Sequence, residues 1–97
     1  MFQIKLSDIQ AAGACRTTWF HSHADDGADA IEYPNGWQQG DTDKLAEEYP
    51  ITLMFFSLKK IIPVNFIQVA QAIKKAHGDD KFKAIDADFK NHADANK

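Results

Sequence analysis

Ninety-seven residues allow one compact domain, and 44% hydrophobic with 26% charged side chains is globular rather than disordered composition. A formal charge of −3 argues against a protein that coats nucleic acid wholesale, and one cysteine excludes an intrachain disulfide or a cysteine-only zinc site. No apolar run approaches the ~18–20 residues that cross a bilayer, and the N-terminus has no secretory pattern. The sequence therefore predicts a soluble, cytoplasmic, single helical domain over 1–90, with a polar tail over 91–97 that frays.

Phe2, Ile4 and Leu6 alternate with polar residues, which predicts a short extended lead-in. Ser7 and Gln10 then have the spacing of a capping box, and Asp8 suits the positive end of a helix dipole. Ile9, Ala12, Cys15 and Trp19 recur at helical spacing, so a helix is expected from Asp8 to His21. Between Ser22 and Gly40 no helical period survives. Pro34-Asn35-Gly36 predicts a small hairpin or an ordered loop pinned by Tyr33 and Trp37.

Asp41 or Thr42 is placed to cap a short helix ending near Tyr49, and Pro50 fits the first turn of the next. Ile51 to Leu58 is the most apolar stretch of the chain. Leu, Met and the lysines after it favour helix, and no comparable strand partner appears elsewhere. Pro63 is expected to open a helix with Ile62, Phe66, Val69, Ile73 and His77 on one face and Gly78 at its end. Asp79 or Asp80 then caps a last helix carrying Phe82, Ile85 and Phe89, with Asp86 and Lys90 paired on its outer side. The fold expected is mainly α: a bundle of four to five short helices with a small hairpin or ordered loop.

Charge is unevenly spread. Residues 1–50 hold three basic and nine acidic side chains, a balance of −6, and residues 51–97 hold eight lysines and five acids, a balance of +3. Asp25, Asp26, Asp29, Glu32, Asp41, Asp43, Glu47 and Glu48 are opposed locally only by Lys44, and Trp37 lies among them as a rigid aromatic anchor. Carboxylates spaced along a surface can stand in for phosphates on a partner whose groove is basic. The favoured reading is thus non-enzymatic binding of a protein with a basic surface. The alternative is nucleic-acid association through Lys59, Lys60, Lys74, Lys75, Lys81 and Lys83. No membrane partner and no cofactor is expected, and Phe55-Phe56 would serve if two copies of the chain paired.

His21-Ser22-His23-Ala24-Asp25-Asp26 resembles the first metal-binding signature of the metallo-β-lactamase fold, with aspartate where the last histidine belongs. On an extended segment His21, His23 and Asp25 would share one side and could serve a metal-dependent hydrolase; on a helix the two histidines point ~200° apart. The loop reading of these residues is preferred, so no metal site is assigned. Cys15 with a histidine base reads better as a core residue, and His77 as a helix cap.

Leu6-Ser7-Asp8-Ile9-Gln10-Ala11-Ala12-Gly13-Ala14-Cys15, followed by Trp19-Phe20, resembles the start of small bacteriophage and prophage accessory proteins. In these an alanine-cysteine pair on the first helix precedes an aromatic. Tyr33-Pro34-Asn35-Gly36, then Thr42 and Leu45-Ala46, is similar to the same group's proline-x-glycine turn and following helices, whereas Thr17-Thr18 departs from its pattern. The resemblance implies a mostly helical phage-type accessory protein and carries over no functional residue. Small acidic phage proteins are often inhibitors of host defence, anti-CRISPR proteins among them, which is the association the resemblance brings.

Overall fold

Thr52, Leu53, Met54, Phe55 and Phe56 are consecutive and all buried, which only an element surrounded by others can achieve. In the computed structural model that element is a helix, Pro50–Leu58 (α4). Described are residues 2–12 and 17–95, with the side chains of 17, 18 and 92–95 left aside. The architecture among these residues is mainly α: six helices and one two-stranded antiparallel sheet. The chain divides into two compact units, Met1–Gln38 and Gln39–Lys97.

In the first unit, β1 (Phe2–Lys5) pairs antiparallel with β2 (Ala30–Tyr33), matching Phe2 to Tyr33 and Ile4 to Ile31. Alternation puts these four on one face, where Ile4 is fully buried, while Gln3 and Glu32 meet on the other at 3.4 Å. The extended lead-in is thus a paired strand. Between the strands lie α1 (Leu6–Ala12), α2 (Thr17–His23) and a loop. Helix α1 starts at Leu6, so Ser7 lies inside the first turn rather than ahead of it as the capping-box pattern predicted. The helix expected from Asp8 to His21 is seen as α1 and α2, and 13–16, with Cys15, lies outside the described residues. Ile9, Trp19 and Phe20 are buried.

Pro34-Asn35-Gly36 does not join two strands. The Gly36 N–H donates to the Tyr33 carbonyl at 2.9 Å, closing a turn after β2, and only Gly36 uses positive φ (79°). A type I′ hairpin needs positive φ at both central residues, which Pro34 cannot supply. The ordered loop is therefore the alternative realised.

The second unit packs α3 (Gln39–Glu48), α5 (Phe66–His77) and α6 (Asp79–Ala95) against α4. Helix α3 begins two residues before Asp41, and Thr42, expected as a cap, is buried within it. Pro50 occupies the first turn of α4, as its missing N–H allows. Helix α5 starts after Pro63, at Asn65, because Asn65 and Gln68 form a reciprocal capping box: the Gln68 N–H donates to Asn65 Oδ1 (2.9 Å) and the Asn65 N–H to Gln68 Oε1 (3.0 Å). Its buried face is Val69, Ala72 and Ile73, and Gly78 at φ 89° ends it. Phe66, placed on the core face by sequence, is exposed at the helix start. Helix α6 continues past Asn91 to Ala95, and Lys90 Nζ pairs with Asp86 at 3.0 Å, as the spacing predicted.

Candidate interaction surfaces

The acidic segment of the first unit is built by backbone bonds. The Ala24 N–H donates to the Phe20 carbonyl (2.8 Å), the Ala28 N–H to the Asp25 carbonyl (3.0 Å), and the Leu6 N–H to the Asp29 carbonyl (2.8 Å). Gly27, at φ 76°, takes the third position of the Asp25–Ala28 turn, where a type II turn requires positive φ. Asp25, Asp26 and Asp29 on this fixed loop are exposed, as is Glu32 on the following strand β2. Asp25 and Glu32 line one shallow pocket of about 410 Å³ with His23. This unit carries five acidic and two basic side chains, a formal −3.

Trp37 is half-buried. Its ring meets Tyr33 at 5.1 Å in a tilted arrangement and Phe2 edge-on at 5.9 Å, and Phe2 and Tyr33 stand 5.8 Å apart. The three rings hold one another, so the expected anchor is a rigid cluster that keeps part of each ring at the surface.

The other four predicted carboxylates are on α3. At 100° per residue, Asp43 and Glu47 share one flank, Asp41 and Glu48 the opposite one, and the buried Thr42, Leu45 and Ala46 lie between. Gln39 Nε2 donates to Asp43 Oδ1 at 3.1 Å, and Asp43 shares a shallow pocket with Lys75 of α5. These acids form two edges rather than one patch. The sequence already contained that split, since two pairs spaced by four and by seven straddle a helix.

The six lysines of the nucleic-acid alternative are all exposed but do not share a face. Lys59 and Lys60 follow α4 near the start of α5; Lys74, Lys75, Lys81 and Lys83 flank Gly78 at its other end, ~18 Å away by helical rise. Lys74 lies 5.0 Å over the Phe82 ring of α6, whereas Lys75 turns toward α3.

His21 and His23 are on α2, and the helix removes the extended geometry that a shared metal needed. His23 stacks on Trp19 at 5.2 Å with Nδ1 2.9 Å from the Trp19 carbonyl. Among the described residues no three His, Cys, Asp or Glu side chains are grouped to hold a metal ion. His77 is not merely a helix cap. Its Nε2 lies 2.9 Å from the Ala46 carbonyl, and an acceptor oxygen there makes Nε2 the donor. Pro50, four residues past Ala46, has no N–H to give it.

Phe55 and Phe56 are core residues, 6% and 0% exposed, so they offer no surface to a second copy. The large hydrophobics exposed among the described residues are Leu58, Phe66 and Ile67; the sequence reading put Leu58 in the apolar run and Phe66 on a core face and did not single out Ile67. The signal for them was available: from Tyr49 through Gly78 the chain has no acidic residue. No helix among the described residues is long and apolar enough to cross a membrane. No family model, curated protein or solved structure matches this chain.

Proposed function

We propose that this is a non-enzymatic, cytoplasmic binding protein whose acidic segment Asp25–Glu32 docks on a basic surface of a host protein. The phage-type resemblance makes an inhibitor of host defence, of the anti-CRISPR kind, the specific form of that reading. The observation carrying it is the set of four exposed carboxylates, three on a loop that main-chain bonds hold in place and Glu32 on the adjoining strand β2. Such a loop meets a partner without first being ordered, which lowers the cost of binding, and its charge steers encounter. The rigid Phe2–Tyr33–Trp37 cluster at the end of β2 supplies apolar contact area in the same unit. Asp41, Asp43, Glu47 and Glu48 are assigned an accessory role, because they straddle α3.

The experiment is affinity capture from host lysate with three baits: the wild-type chain, the chain with Asp25, Asp26, Asp29 and Glu32 changed to lysine, and the chain with the four α3 acids changed. Captured proteins are identified by mass spectrometry. A partner kept by the α3 variant and lost by the loop variant supports the reading; a partner kept by both refutes it. Retardation of duplex DNA at low salt by the purified protein would favour the lysine-based alternative.

A further inference from the structure

We infer that the connection between α4 and α5 is a second docking site, one that takes an apolar side chain from an acidic segment of another protein. Its floor is a groove of about 640 Å³ with Ile62, Pro63 and Val64 in its lining. Leu58 and Phe66, 56% and 47% exposed, line it as well, and Ile67, 68% exposed, follows Phe66 on α5. Large apolar side chains left this open cost solvation free energy unless something covers them.

The groove is rigid before anything binds. Ser57 Oγ donates to the Val64 carbonyl at 2.7 Å across the loop, and the Asn65–Gln68 capping box fixes the far side. Helix α4 closes with the Ile61 N–H donating to the Phe56 carbonyl (2.8 Å) and the Lys60 N–H to the Ser57 carbonyl (3.1 Å). That is a Schellman motif with Lys60 at its left-handed position, φ 59°. Glycine is the residue this position takes without strain, so a lysine there is held at a cost to folding. Its exposed side chain lines the groove, next to Lys59.

Charge decides the occupant. Lys60 lines the groove, exposed Lys59 precedes it in the chain, and the chain supplies no carboxylate between Tyr49 and Gly78. A second copy seated through the same face would set these lysines against their own equivalents. A flat lipid surface would leave the concave floor unfilled. An acidic amphipathic segment satisfies both the lysines and the floor.

The test uses the full chain and two labelled synthetic peptides: an amphipathic helix of Leu, Phe and Glu, and the same peptide with Lys for every Glu. Fluorescence anisotropy is expected to show binding of the Glu peptide alone. Ile67→Asp, or Lys59→Glu with Lys60→Glu, should weaken it about tenfold or more with the far-UV CD spectrum unchanged. Lys60→Gly should raise the melting temperature while weakening the peptide, opposite signs that a purely structural lysine would not give. Equal binding of both peptides, or no loss in these variants, overturns the inference. So would a dimer that Ile67→Asp dissociates in sedimentation equilibrium, or co-sedimentation with phosphatidylcholine–phosphatidylglycerol vesicles in place of peptide binding.

Discussion

His77 illustrates how one side chain repairs a backbone defect made by another. Pro50 opens α4 at no cost to that helix, but it leaves the Ala46 carbonyl of α3 without the donor four residues on, and the His77 ring supplies one from the end of α5. His77→Ala should cost about 1–3 kcal/mol in urea unfolding, with His77→Gln recovering part, because an orphaned carbonyl is more expensive than a hydrogen bond is valuable. Equal stability of wild type and His77→Ala would remove this role. Gly27 acts by its conformation alone: a Cβ there would meet nothing within 4 Å, but φ 76° strains any L side chain. Gly27→Ala should cost about 1 kcal/mol in the same experiment, and no change would show that the loop relaxes freely. Neither role was fully legible in the sequence. A dipole cap was the reading available for His77, since its partner lies 31 residues away.

At the scale of elements, several local signals were read correctly, whereas the starts of α1, α3 and α5 were not. The strongly apolar run 51–58 became the central helix, Gly78 ended α5, and Asp86 met Lys90. What escaped was set by distant partners or by competition between neighbouring signals. Strands β1 and β2 pair although 24 residues separate them, and two four-residue runs give no periodicity that would announce each other. Pro63 outranked Asn65 as a start signal, yet Asn65-x-x-Gln68 is the pattern that satisfies the free N–H groups of α5. The left-handed Lys60 has no sequence signature at all. Replacing it with glycine should stabilise the chain by about 1 kcal/mol in thermal or urea unfolding, since the strain is relieved and the two closing hydrogen bonds remain. A loss of stability would mean that its side chain holds the loop together.

For the whole molecule, the uneven charge read from the sequence persists, but in a different form. The first unit is acidic on a formal count and offers Asp25, Asp26 and Asp29 on one ordered loop and Glu32 on the strand that follows it. The second unit carries nine acidic and nine basic side chains, with four of the acids on α3, five after Gly78 and none from Tyr49 through Gly78. Exposure of the loop carboxylates was legible, because charged residues without burial partners stay in water. That they belong to a different compact unit from the α3 acids was not, because division into units is a property of packing rather than of composition. The lysines of the nucleic-acid alternative fall at the two ends of α5, and Lys74 and Lys75 at one end diverge because consecutive helical residues point ~100° apart. The central claim is therefore carried by the loop of the first unit, and it is most directly tested by titrating the captured host partner against wild-type protein over a range of ionic strength. The account predicts affinity that falls steeply with added salt, and a Kd raised at least about tenfold when Asp25, Asp26, Asp29 and Glu32 are changed to lysine. Affinity insensitive both to salt and to those four changes would contradict it.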